Sequence, residues 1–133
     1  MTRLALLAAA AAAIALGGCG TATEDLMAIE RSFPETGVHV RIRVTNDGRG
    51  SCGAGTLQRL PSQTLLDARG VKRSLRPLAR RGASFSSSRP DRSSYVFRSF
   101  DGVVRWTEGT RGPRALARAA LLELRLERLL CRA

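Results

Sequence analysis

The strongest local constraint on the fold is the dipeptide Asp101-Gly102, which lies between two runs of residues with high β-propensity. Asp-Gly favours a two-residue turn with positive φ, and such turns join antiparallel strands. We therefore predict a β-hairpin of strands 95–100 and 103–108, in which Arg98 stands directly opposite Arg105. Side-chain alternation then sends one face of the hairpin to the core, namely Tyr95, Phe97, Val104 and Trp106.

The rest of the chain predicts an α+β domain. Residues 38–44 alternate between apolar and polar side chains, which is typical of a half-buried strand, and residues 52–60 are a weaker strand candidate. Residues 71–81 predict a short helix, and residues 113–130 predict a long one that begins at a proline. We expect a small antiparallel sheet of about four strands, with the long C-terminal helix and the shorter helix packed on one face.

The long helix carries two apolar stripes. The first comprises Ala115, Ala119, Leu122, Leu126 and Leu129, and the second comprises Ala117, Ala120, Leu121, Leu124 and Cys131. If Cys131 bonds to Cys52, the second stripe is expected to face the sheet, which would leave the first for another helix or a second molecule. The alternative is that both stripes are buried within one domain.

The N-terminus has the pattern of an export signal. Residues 4–16 are uncharged and follow a short positive segment, but this run is too short to span a membrane, which takes about 20 apolar residues. The tetrapeptide Leu16-Gly17-Gly18-Cys19 resembles the lipobox of bacterial lipoproteins. That resemblance implies cleavage before Cys19, attachment of lipid to its thiol, and a location in the bacterial cell envelope, anchored to a membrane outside the cytoplasm. An ordinary secretory signal with an incidental cysteine is the alternative.

This interpretation divides the chain into three parts. Residues 1–18 are predicted to be a lipoprotein signal peptide, residues 19–37 a tether with a short helix, and residues 38–133 the α+β domain. Without Cys19 the chain keeps two cysteines, Cys52 and Cys131, and an even pair in an exported protein predicts a disulfide. Two free buried thiols are the alternative.

The charge is strongly positive, because 22 Lys+Arg stand against 11 Asp+Glu and leave a net charge of +11. For an exported chain this excess favours anionic lipid headgroups, cell-wall polymers or an acidic protein as partners. We expect no nucleic acid, because aromatic residues are few and no nucleic-acid motif is present. The candidate anion- or partner-binding residues lie on the outward face of the predicted sheet: Arg41, Arg43, Arg98 and Arg105. A solvated or acid-paired surface is the alternative.

Catalytic and cofactor motifs are weak. Gly48, Gly50 and Gly53 match the spacing of a dinucleotide fingerprint, but no helix is predicted directly after them, so we interpret them as a glycine turn. The single histidine, His39, has no second His and no nearby Cys with which to share a metal. No nucleophile and base are paired, so we predict no enzymatic activity, no cofactor and no metal.

The order of elements between residues 38 and 130 resembles the emfourin-like family of small bacterial proteins, chiefly through residues 95–106 and 113–130. The resemblance implies a sheet packed on helices, and either an inhibitor, as in the members that act on thermolysin-type metalloproteases, or a binding module. The chain departs from the family in having Cys52 and Cys131 and in lacking a double glycine after the predicted first strand. We expect a membrane-anchored, non-enzymatic binding module whose partner is an envelope protein, a protease or an anionic polymer; an emfourin-like protease inhibitor is the alternative.

Overall fold

The protein is an α+β domain, as the sequence predicts. The computed structural model describes residues 24–132. Numbered in chain order, the elements are β1 Asp25–Ser32, β2 His39–Thr45, β3 Arg49–Cys52, β4 Gln58–Arg59, α1 Ser62–Arg80, β5 Ser84–Phe85, β6 Ser94–Ser99, β7 Gly102–Thr107 and α2 Arg114–Leu130.

The sheet has seven strands rather than the predicted four, in the order β4-β3-β2-β1-β6-β7-β5. All neighbouring strands are antiparallel except β5, which pairs with β7 in parallel. The additional strands are β1 in the centre, the two-residue β5 at one edge, and β3, which replaces part of the predicted glycine turn and includes Gly50. Within the predicted strand 52–60, only Cys52 and the two-residue edge strand β4 belong to a strand. Two-residue edge strands carry too few residues to show an alternating pattern.

The central strand β1 corrects the prediction of a tether with a short helix over residues 19–37. In its described part this segment contains a strand, which pairs with β2 on one side and β6 on the other. Four consecutive residues of β1 are buried, from Leu26 to Ile29. Polar and apolar residues alternate in a strand that has one solvent-exposed face. A strand segment that is buried on both faces does not show this alternation.

The hairpin of β6 and β7 confirms the predicted faces. Tyr95, Phe97, Val104 and Trp106 are all buried, with at most 5% of each residue exposed. Tyr95 stands opposite Trp106, and Phe97 stands opposite Val104.

The predicted register of this hairpin is wrong. Ser99 pairs with Gly102, so the turn consists of Phe100 and Asp101 rather than Asp101 and Gly102. Among residues 99–102 of this turn, Gly102 alone has a positive φ, and its backbone lies directly against the carbonyl oxygen of Ala79. Because this shift moves the pairing partners by two positions, each side chain keeps its face while its partner changes.

Helix α1 begins nine residues before the predicted start, at Ser62, and contains both Gly70 and Pro77. These residues disfavour a helix locally. The buried positions Ala68, Val71, Leu75, Leu78 and Ala79 nevertheless recur at helical spacing. The burial of this stripe outweighs the local cost.

Both helices pack on the same face of the sheet. The centre of that face is a row of directly paired residues, each with no exposed surface: Ile42, Ile29, Phe97 and Val104. The predicted disulfide between Cys52 and Cys131 is confirmed, with Cα atoms 5.2 Å apart, and it joins β3 to the end of α2.

The two stripes of α2 are arranged differently from either expectation. The first stripe contributes Ala119, Leu122 and Leu126 to the core, while in the second stripe Ala117 is exposed and Leu121 is 59% exposed. Cys131 still reaches Cys52 because it is the C-cap residue, beyond the last helical residue. The second stripe is therefore left open on one side of α2.

The sheet has two distinct ends. The N-terminal end holds Glu24, the turn of residues 46–48 and the hairpin tip of residues 100–101. The opposite end holds residues 33–38, 86–93 and 108–113. No helix within residues 24–132 is both long enough and apolar enough to cross a membrane.

Candidate functional site

The predicted lipid site, Cys19, and the predicted signal peptide, residues 1–18, lie outside the described residues. The four predicted arginines of the sheet are all described. Arg41, Arg43, Arg98 and Arg105 lie together on the face that the helices leave open. The sequence therefore predicted correctly that they share a face.

A carboxylate that the sequence did not predict lies in the middle of this open face. Glu30 of β1 is within ion-pair distance of three basic groups: Arg41 at 3.7 Å, Arg98 at 3.6 Å and His39 at 3.5 Å. Arg43 pairs separately with Asp25 at 2.6 Å.

Arg105 is the arginine of this set that has no ion pair with a described residue. It stands opposite Val96, and Arg98 stands opposite Val103, so the predicted direct contact between two arginines does not occur. Three of the four arginines have acidic partners, and the set with Glu30 and Asp25 carries a formal charge of 4 − 2 = +2.

A cleft of about 680 Å³ opens between α2, the end of β7 and the loop of residues 108–113. Its helix wall is the second stripe of α2, in which the small side chains of Ala117 and Ala120 leave space in front of the sheet. The strand wall is formed by Tyr95 and Trp106, whose rings stack with centroids 5.0 Å apart and planes 6° apart. Further apolar lining comes from Leu116, Leu121 and Leu124.

Arg31 lies between this cleft and a buried carboxylate. Its guanidinium donates a hydrogen bond to Glu127, stands 4.6 Å over the ring of Phe33, and lies 3.5 Å from the Glu123 carboxylate. Glu123 has no exposed surface, and neither of its oxygens has a hydrogen-bond partner among the described residues. A charged carboxylate in such a place carries a large desolvation cost.

Burial raises the pKa of Glu123 to about 7, with the nearby Glu127 acting in the same direction and Arg31 opposing it. Burial also raises the pKa of Tyr95, so its phenol is uncharged at neutral pH. Near pH 7, therefore, the formal charges of Arg31 and Glu127 cancel, and a partly protonated Glu123 adds a fraction of a negative charge behind the cleft. The charged residues that line the cleft itself carry both signs: Arg31, Glu108 and Arg114.

Neither Arg31 nor Glu123 was predicted from the sequence. Arg31 lies in the segment that we interpreted as a tether. Glu123 could have been found, because it follows Ala119 by four residues and precedes Leu126 and Leu130 by three and seven. That spacing is the period of a buried helical stripe.

Comparisons of the chain with protein-family models, curated proteins and solved structures found no match. In the part of the chain that the structure describes, no group of three His, Cys, Asp or Glu residues is placed to hold a metal ion. The cleft and the open face of the sheet are therefore the features of this chain that bear on its function.

Proposed function

We propose that the protein is an exported lipoprotein of the bacterial cell envelope, anchored through Cys19, and that its domain is a non-enzymatic binding module. The Leu16-Gly17-Gly18-Cys19 motif supports the anchor. The disulfide between Cys52 and Cys131 supports export, because such bonds persist in oxidising compartments.

The cleft beside α2 is the observation that carries the binding function. Its volume of about 680 Å³ falls in the range of about 300–1,000 Å³ that ligand sites occupy. Leu121 is 59% exposed at its wall although it belongs to an apolar stripe. A contiguous apolar surface that remains open in a folded domain marks a binding site.

The chemistry of the cleft selects an uncharged, apolar group. Most of its lining is aliphatic or aromatic, and its few charged residues carry both signs: Arg31, Glu108 and Arg114. An apolar group bound there would remove the exposed side chain of Leu121 from water. We propose that the occupant is an apolar side chain of an envelope protein.

An apolar dye tests the cleft directly. The protein is the chain from residue 19 with Cys19→Ser, and the probe is uncharged N-phenylnaphthylamine, read by energy transfer from Trp106, the one tryptophan. Ala117→Phe fills the cleft from an exposed helix position and should weaken dye binding at least about tenfold, or about 1.4 kcal/mol. The control Arg128→Phe adds the same ring at an exposed position of α2 outside the cleft. Equal binding by the wild type and Ala117→Phe would refute the site.

A photo-crosslinking amino acid at Leu121 tests the partner in intact cells. We expect one envelope polypeptide to be trapped and identified by mass spectrometry, and the same probe at Arg128 should not trap it.

The anchor is tested separately. The Cys19→Ser variant should be released from the membrane fraction, and the intact mass of the wild type should include the lipid. Identical fractionation of the two would reject the anchor.

The open face of the sheet is a second candidate surface, favoured by its formal charge of +2 and by the absence of a described element that covers it. Its ligand would be an anionic polymer of the envelope. Reversing the charge of Arg98 and Arg105 should abolish binding to polyglycerol phosphate. Unchanged binding would reject this surface.

A further inference from the structure

The N-terminal end of the sheet is covered by helix α1. Near the start of α1, Leu65 packs on Gly48, and the side chain of Arg69 reaches the carbonyl oxygen of Asn46 at 3.5 Å. Near its end, Ala79 lies against Gly102 at the base of the hairpin tip. Helix α1 therefore spans this end from the β2–β3 turn to the β6–β7 turn.

The chain enters the domain at the same end. The backbone amide of Asn46 donates to the carbonyl oxygen of Glu24 at 2.9 Å, which holds the first described residue against the β2–β3 turn. Asp25 then begins β1 and pairs with Thr45.

The side of α1 that faces away from α2 is strongly basic. Asp67 marks the opposite side, because it binds Arg125 of α2 at 3.0 Å. The basic side carries four exposed arginines at spacings of four, three and four residues, which align on one helical stripe: Arg69, Arg73, Arg76 and Arg80. We call this set the α1 arginine stripe.

One carboxylate partly neutralises the stripe. Asp101 accepts from Arg76 at 3.4 Å and lies 3.7 Å from Arg80. The two guanidinium side chains are still 45% and 67% exposed. The formal charge of the stripe with Asp101 is 4 − 1 = +3.

An exposed aromatic side chain lies beside the stripe. Phe100, at the hairpin tip, is 96% exposed and directly precedes Asp101. Leu66, one turn before Arg69 and two turns before Arg73 on α1, is 57% exposed. Basic residues combined with exposed Phe and Leu are the composition of surfaces that sit at a membrane interface.

We propose that the N-terminal end of the domain is seated on an anionic membrane surface, with the α1 arginine stripe on acidic phospholipid headgroups and Phe100 in the interface. The proposal rests on the proposed anchor. Cys19 precedes Glu24 by 24 − 19 = 5 residues, which can reach at most about 17 Å. So short a connection brings this end, rather than the cleft at the opposite end, to the headgroups.

Vesicle sedimentation tests the surface without the lipid. The chain from residue 19 with Cys19→Ser is mixed with phosphatidylcholine vesicles, with or without about 30% phosphatidylglycerol. Each basic residue near an anionic leaflet strengthens binding about fivefold, so three net charges predict about 100-fold tighter binding to the anionic vesicles, which is lost in high salt. Because no lipid anchor is present, this result does not depend on whether Cys19 is modified in cells.

Matched charge reversals locate the surface. Arg69→Glu with Arg73→Glu should weaken binding at least about 25-fold. This pair leaves the contacts of Asp101 intact, and circular dichroism checks that the fold is kept. Arg111→Glu with Arg114→Glu makes the same change in charge at the opposite end of the sheet and should have little effect. An equal loss in both double variants, or no preference for anionic vesicles, would overturn the proposal.

Phe100→Trp separates lipid from other anions. A tryptophan at the hairpin tip should shift its emission to the blue on anionic vesicles and be quenched by brominated lipid, whereas Trp106 of the wild type is only 5% exposed and should respond little. Equal affinity for soluble polyglycerol phosphate, with no quenching by brominated lipid, would show a general anion surface and refute the membrane assignment.

Discussion

Glu123→Gln should remove a loss of stability that the wild-type protein undergoes between pH 5 and pH 8.5. The side chain is fully buried, and its pKa is raised from 4.5 to about 7 by burial and by Glu127, against the opposing effect of Arg31. Between these two values the folded protein binds a proton that the unfolded chain has released. The stabilisation is therefore complete below about pH 4.5 and is lost as the pH rises through about 7.

The size of the effect follows from the same two values. A difference of about 2.5 in pKa corresponds to about 3 kcal/mol in total, of which about 2.5 kcal/mol falls between pH 5 and pH 8.5. Glutamine has the shape of protonated glutamate and does not titrate. At pH 5 the variant should therefore lie within about 1 kcal/mol of the wild type, and at pH 8.5 it should be more stable by about 3 kcal/mol.

Urea unfolding at several pH values, followed by the fluorescence of Trp106, measures this difference. For a domain of this size, the difference in free energy of unfolding corresponds to a shift of about 1–2 M in the urea midpoint at pH 8.5. Glu35→Gln, at an exposed position, is the control. Its curve of unfolding free energy against pH should be parallel to that of the wild type. The contributions of other groups cancel when the two curves are subtracted. Parallel curves for the wild type and Glu123→Gln would show that burial does not raise the pKa of Glu123.

Three further predictions concern the fold and the inhibitor alternative. Replacing Cys52 and Cys131 together by Ser should lower the free energy of unfolding by about 4.5 kcal/mol, as expected for a sequence separation of 79, and urea unfolding measures it. Gly102→Ala should lower the free energy of unfolding by more than about 2 kcal/mol, because the positive φ of this residue and its contact with α1 leave no room for a Cβ. Gly70→Ala should instead raise it by up to about 1 kcal/mol, because Gly70 lies inside a helix with open space around it. A binding module without inhibitory function leaves thermolysin activity unchanged when the protein is added in excess, and a stoichiometric loss of that activity would establish the emfourin-like alternative.

The placement of the four arginines on one face was predictable, while their partners were not. Alternation along two strands puts Arg41, Arg43, Arg98 and Arg105 on the polar side whichever register the hairpin adopts, provided that the shift is even. Glu30 changes the character of that face, and it lies on a strand without an alternating pattern. The shared face of the four arginines was therefore predictable, and the carboxylate in its middle was not.

Local periodicity determined several features of this protein by itself. The core face of the hairpin, the C-terminal helix and the α+β class follow from repeats of two and of 3.6 residues, which depend only on neighbours in sequence. The disulfide was predictable because two cysteines remain besides Cys19 in a chain whose N-terminus has the pattern of an export signal.

Tertiary structure alone decided the central strand, the hairpin register and the cleft. Strand β1 is stabilised by two partners, and Gly102 takes its position because α1 lies against it. Arg31 and Glu127 meet although 96 residues separate them, and their contact leaves Glu123 buried beside the cleft. Such contacts depend on which surfaces meet after the sheet and helices pack, and a pattern within one segment carries no record of its distant partner.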